Sequence, residues 1–271
     1  MMKPVRHPDL TPLERRYGPL TRIGGGHHSE VYRADGAVLK VYRAPGLLDL
    51  EATHLRRAGL TDLLLAELRE GELEVLVTRY FAGESVTAAT LPAAFPALSR
   101  FLRGLHAEPT GQMVDVTALH RRLESFRYLE VHDLRPLFAA VEAALGHGLL
   151  ETEARFCHLD LWSDNILTNA AGEVLVVDWV RAGPDDPMRD LALLKTGTLD
   201  LLPADTSLNL ALELASGPHE RARLRAYLAL TCLHDLHWFT LHQPEAFQEQ
   251  LLFKRERALH ALERLEALAL P

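Results

Sequence analysis

The chain has 271 residues, 48% of them hydrophobic and 24% charged, and a net charge of −8, which suits a globular protein of one large domain or two modest ones. No apolar run approaches the roughly 18 residues that a membrane span requires, Met1–Gly18 lacks the apolar centre of a leader, and the two cysteines, Cys157 and Cys232, make no disulfide framework. The acidic balance gives nucleic acid no electrostatic foothold, so the expectation is a cytoplasmic protein with neither nucleic-acid nor membrane partner, its oligomeric state left open.

In chain order, Leu20–Ile23 reads as a strand running into Gly24-Gly25-Gly26. Glu30–Arg33 and Ala37–Tyr42 flank Asp35-Gly36, a strong hairpin signal. After Pro45-Gly46, Leu47, Leu50, His54, Leu55 and Ala58 recur at helical spacing until Gly59 stops them. Two more strand candidates, Leu63–Leu68 and Leu73–Thr78, are joined through Glu70-Gly71. The composition shifts at Arg79–Ser85. Helical patterns follow over 92–107, 115–129 and 133–147, then a β-rich island over 155–177 that ends in the apolar run Val174–Val177. Helical periodicity returns near Met188 and is strongest over 219–242 and 245–269. No internal repeat is visible. The pattern predicts an α+β fold, with a lobe over 1–82 built on a small antiparallel sheet with one helix, and a larger, mainly helical lobe over 83–271.

Chemistry concentrates in a few stretches. His158-Leu159-Asp160-Leu161-Trp162-Ser163-Asp164-Asn165 fits H-x-D-x-x-x-x-N, in which the aspartate accepts a hydroxyl proton and the asparagine ligates magnesium. Asp178 directly follows the Val174–Val177 run, where a carboxylate can hold a metal against phosphates; by itself it is equally a strand-end turn residue. Gly24, Gly26, Ser29 and Val31 approximate G-x-G-x-x-G-x-V, a loop that covers phosphates, with Ser29 in place of the third glycine. A plain hairpin turn would read the same way. Only four of the 29 basic residues are lysines: Lys3, Lys40, Lys195 and Lys254. Lys40 lies in an apolar strand pattern, where an unpaired ammonium is costly. Glu51, in the helix that follows, is its candidate partner, the alternatives being an exposed strand lysine and a helix-surface glutamate.

These blocks, together with Val75–Glu84, Leu102–His106 and Val177–Ala192, fall in order over residues 20–192 and resemble the aminoglycoside phosphotransferase and choline kinase family, small-molecule relatives of protein kinases. The resemblance implies a bilobal, protein-kinase-like fold with ATP and magnesium as cofactors, GTP not excluded. It implies Asp160 as catalytic base and Asn165 and Asp178 as magnesium ligands. Gly24, Gly26 and Ser29 would cover the phosphates, Lys40 would contact them with Glu51 as partner, and the backbone at Arg79–Phe81 would receive the adenine. Asp190 would tie the segment after Asp178 to the catalytic loop. The sequence departs from the family at Leu159, where glycine is usual, at Ser29, and at Asp164, an added acid.

Only a short stretch separates Asp178 from Asp190 and no Ala-Pro-Glu follows, so no protein-kinase activation segment is present. The acceptor is therefore expected to be the hydroxyl of a small molecule of aminoglycoside, choline or sugar type. Tyr227, Thr231, His234, Trp238 and His242 fall near one helix face; with Asp235, Trp238 could hold a cationic acceptor, or these aromatics could simply pack a core. The alternative to a kinase is a non-catalytic nucleotide-binding pseudokinase or scaffold, with a protein Ser/Thr kinase ranking below it.

Overall fold

The computed structural model describes residues 9–26, 28–215 and 217–269; Lys3, His27 and the start of the N-terminal segment lie outside them. The chain divides into two compact units. One runs up to Ala82 and includes Asp178–Val180; the other holds Gly83–Val177 and everything from Arg181 onward. The architecture is α+β, a small antiparallel sheet with helices in the first unit and a larger, mainly helical assembly in the second.

In the first unit, α1 (Thr11–Tyr17) precedes β1 (Thr21–Gly25), β2 (Ser29–Ala34) and β3 (Ala37–Tyr42). Next come α2 (Leu47–Arg57), β4 (Leu64–Glu70) and β5 (Leu73–Arg79). The five strands are antiparallel in the order β1-β2-β3-β5-β4. Because side chains alternate across a strand, Ala37, Leu39 and Val41 of β3 enter a core with Tyr32, Val75, Val77 and Leu13 of α1. Fully buried aliphatic side chains such as Leu39 and Val75 (both 0% exposed) each contribute roughly 1.5–3 kcal/mol. The same alternation turns Lys40 and Tyr42 to the opposite face. Helix α1 was not foreseen; it is two turns long and its one fully buried side chain is Leu13.

The second unit opens with β6 (Glu84–Ser85), α3 (Leu91–Leu105), β7 (Pro109–Met113), α4 (Val116–Ser125), α5 (Arg135–Gly146) and β8 (Glu153–Cys157). After the His158–Asn165 loop come β9 (Ile166–Thr168), β10 (Val174–Val176) and β11 (Gly183–Asp185). The rest is helical: α6 (Pro187–Gly197), α7 (Ala204–Leu214), α8 (Pro218–His242) and α9 (Phe247–Ala269). The short strands form two three-stranded sheets, β10-β9-β6 and β11-β8-β7. Side chains at the starts of two helices satisfy backbone N–H groups that the helices leave unpaired. Asp115 accepts from the Ala118 N–H (2.9 Å) and Asp186 from the Met188 N–H (3.0 Å). Helix α8 packs on α5, α6 and α9 and is buried almost all round from Leu224 to Leu236, as expected of a central helix.

Candidate functional site

Two sets of residues carry the expected chemistry, one in each unit. In the first unit, Lys40 on β3 donates to both carboxylate oxygens of Glu51 on α2 (2.9 and 2.7 Å) and to Asp178 Oδ1 (2.9 Å). Glu51, 3% exposed, also accepts from the Tyr42 hydroxyl (2.6 Å) and the Trp179 N–H (3.1 Å). Burial, reinforced by the adjacent Glu51 charge, pushes the Tyr42 phenol far up, so it stays a donor. The strand lysine and helix glutamate are thus paired, the glutamate buried and the lysine half-buried, and the Trp179 bond fixes the backbone next to Asp178. Asp178 is left-handed (φ 64°), a conformation that aspartate tolerates better than most residues. Its side chain is 45% exposed. His54 Nδ1 donates to the Trp179 carbonyl (2.7 Å), holding the same segment from its other side.

The glycine loop connects β1 to β2. Gly25, rather than Gly24 or Gly26, has the backbone that demands glycine: its φ is +148°, and a Cβ there would meet the Ser29 carbonyl oxygen at 3.0 Å. Gly26 N–H closes the turn on Ser29 O (3.0 Å), and Ser29 is buried (6%). Arg43 ties the loop to β3 by donating to Gly26 O (3.0 Å) and Glu30 Oε1 (2.9 Å). At the far end of the sheet Arg79 is exposed, Tyr80 N–H donates to Gly36 O (3.0 Å), and Phe81 is half-buried.

In the second unit the His158–Asn165 loop leaves β8 and is held by α6. Asp190, fully buried (0%), accepts from the backbone N–H of His158 (2.8 Å) and of Leu159 (2.6 Å) and bonds His106 Nε2 (2.9 Å). Burial raises the Asp190 carboxyl, but the His106 hydrogen bond and the His106 and His158 charges pull harder, leaving it below the ordinary aspartate range. Leu159 is left-handed (φ 61°), which gives the backbone reason that glycine is usual here. At the loop's far end Thr198 Oγ1 donates to Leu161 O (2.8 Å). Trp162 lies against Gly197, where any Cβ would meet its ring at 2.6 Å.

Between these anchors Asn165 Nδ2 donates to the Asp160 carbonyl (2.8 Å) and to Asp160 Oδ2 (3.2 Å). No described residue donates to Asn165 Oδ1. The Val177 N–H donates to Asn165 O (2.9 Å), and the next residue along the chain is Asp178. Asp160 lines a small cavity with Leu159, Trp162, Arg122, Arg181 and Arg189. Neither Asp235 nor Trp238 lines it. Asp235 is buried (3%) and bonded to Lys254 (2.8 Å), while Trp238 stacks on His242 near the exposed end of α8. Sequence reasoning gave no role to these three arginines, which stand far apart in the sequence.

The sequence matches the phosphotransferase enzyme family (APH) over residues 19–227. No curated protein matches the chain. Among solved structures it is similar to a choline/ethanolamine kinase family protein from Mesorhizobium loti, at 22% identity over 95% of both chains with a TM-score of 0.70. It is also similar to a thermostable mutant of an aminoglycoside phosphotransferase in ternary complex with ADP and hygromycin B, at 16% identity over 94% of this chain and 98% of that one, TM-score 0.62. A wild-type aminoglycoside 2'-phosphotransferase-IIIa bound to GDP is similar at 14% identity, over 92% and 97%, with a TM-score of 0.65. Likeness at these identities establishes the kinase-like fold.

Proposed function

Because the chain belongs to the phosphotransferase enzyme family, we propose that it is an ATP-dependent small-molecule kinase that moves the γ-phosphoryl group to an acceptor hydroxyl. The observation that carries this reading is the Asp160 carboxylate, held by Asn165 Nδ2 and facing a cavity on a loop pinned by Asp190. Asp160 accepts the acceptor's hydroxyl proton as that oxygen bonds the γ-phosphorus. The bond from this phosphorus to the β–γ bridging oxygen breaks, and its electron pair leaves with ADP. Positioning and charge neutralisation supply most of the acceleration in such a transfer.

Lys40, kept in place by Glu51, contacts the phosphates, and the Gly24–Ser29 loop covers them. The backbone at Arg79–Phe81 receives the purine. Asn165 and Asp178 fit a hard cation: Asn165 has its amide nitrogen on Asp160 and its oxygen without a described donor, and the Asp178 carboxylate is 45% exposed. They are the residues proposed to hold magnesium, which when bound would offset triphosphate charge. GTP is the second donor to assay, since one relative holds GDP. A nucleotide-binding pseudokinase is the competing reading, and the complete set of Lys40, Asp160, Asn165 and Asp178 speaks against it.

ADP release from purified protein over a panel of hydroxyl compounds tests the proposal. Asp160→Ala is expected to keep its thermal shift with Mg-ATP while losing about 10²–10⁴-fold in transfer, whereas Asp178→Ala loses both. Full transfer by Asp160→Ala would overturn the assignment.

A further inference from the structure

The cavity beside Asp160 has about 60 Å³ of room, space for roughly four to six waters at ~10–15 Å³ each. Three arginines line it: Arg122 on α4, Arg181 just before β11, and Arg189 on α6. Arg189 is neutralised by an ion pair with Asp185. No described side chain pairs with the guanidinium of Arg122 or of Arg181. Burial, reinforced by the positive charges of Arg189 and Arg181 against the opposing pull of Asp185, lowers Arg122 to about 10, so it still carries its charge at neutral pH. A half-buried guanidinium with no ion-pair partner of its own is unfavourable unless an anion completes the group. The adjoining hollow shares Arg122 and His234, adds Arg121 and His237, and is lined by no carboxylate.

We infer that the acceptor is a small hydroxylated anion whose carboxylate or phosphate is held by Arg122 and Arg181 while its hydroxyl meets Asp160, an inference that rests on the kinase reading above. A guanidinium binds either oxyanion in the same forked geometry. A quaternary ammonium or a polyamine would meet repulsion here. The one carboxylate that the sequence offered to such a cation, Asp235, is already bonded to Lys254. The apolar wall of Leu159, Leu193 and Leu230 leaves room for a short carbon skeleton.

Two measurements test this. ADP release is followed with Mg-ATP over matched hydroxy acids, sugar phosphates, neutral polyols and hydroxylated amines. Turnover is expected among the anions, at least about 100-fold above their neutral counterparts in kcat/KM, with the amines unused; preference for a neutral or cationic acceptor overturns the inference and leaves the kinase reading standing. Calorimetry with glycerate and with glycerol 3-phosphate then separates the two anion types without turnover. Wild-type protein is expected to bind at least one of them, Arg122→Met and Arg181→Met about 10-fold or more weakly, and the surface variant Arg100→Gln unchanged. Absence of binding, or equal affinity in all variants, sinks the anion site. Anion binding without ADP release from any compound instead sinks the kinase reading.

Discussion

Glu51 in the first unit and Asp190 in the second hold equivalent posts. Each is a buried carboxylate bonded to a backbone N–H beside an acid proposed to act in transfer: Glu51 to Trp179, next to Asp178, and Asp190 to His158 and Leu159, just before Asp160. Each post also sits beside a residue in the left-handed region, Asp178 in one case and Leu159 in the other. The difference lies in what balances the buried charge. Glu51 has Lys40, a permanent cation, and a tyrosine hydroxyl, whereas Asp190 has His106 and two backbone donors. The first arrangement serves a ligand as well as the fold, because its lysine is also proposed to reach phosphate. The second serves only to shape a loop, and so depends more heavily on its carboxylate.

The largest expected effect is therefore at Asp190. Asp190→Ala leaves two buried N–H groups and His106 without their acceptor, and should cost on the order of 3–5 kcal/mol, read as a large fall in melting temperature. The pH dependence of the same post follows from its lowered carboxyl: stability that it contributes is present above about pH 4 and is lost as pH falls through the folded value. Asp185 and Asp186, raised chiefly by burial, act with the opposite sign, so the informative quantity is the difference between wild type and Asp190→Asn. That difference should shrink as pH falls below about 4; a difference unchanged from pH 4 down to pH 2.5 would remove Asp190 from the account.

Glu51→Gln comes next. Lys40 keeps Asp178, and the amide oxygen can still accept one of the three donors, so the expected loss is about 1–3 kcal/mol, with a weakened thermal response to Mg-ATP. If stability falls but the nucleotide response does not, the two posts are alike after all. The smallest effect is expected for Leu159→Gly. Relief of about 1–2 kcal/mol of left-handed strain is set against roughly 1 kcal/mol of added unfolded-state freedom, so chemical denaturation should place the variant within about 1 kcal/mol of wild type. A loss above about 2 kcal/mol would mean that the leucine side chain, not the backbone, sets the loop.

The contrast also explains what could be read in advance. The strands of the first sheet, the His158–Asn165 loop and the last two helices announce themselves through local alternation, spacing and turn residues. Strand β7 does not: Pro109–Met113 has no buried apolar alternation and exists because β8 offers it a partner. Gly25 could not be told from its two neighbours, since only its positive φ and the close approach of the Ser29 carbonyl single it out. The scarcity of lysine was informative in an unexpected way. All three described lysines are paired with carboxylates, Lys195 with Asp200 and Lys254 with Asp235 as well as Lys40 with Glu51. Rarity marked the ion pairs; it did not say which one faces a ligand. The arginines beside Asp160 come from α4, the segment before β11, and α6, a convergence that no local pattern records.

Trp162 stands two positions after Asp160, shares the cavity wall, touches Gly197 and has the Lys254 ammonium 5.2 Å from its ring centre. An indole so placed changes its emission when water leaves the cavity or charge enters it. If the proposed acceptor enters this cavity, Trp162 is a native optical gauge of its loading, specific once Trp179 and Trp238 are replaced by phenylalanine.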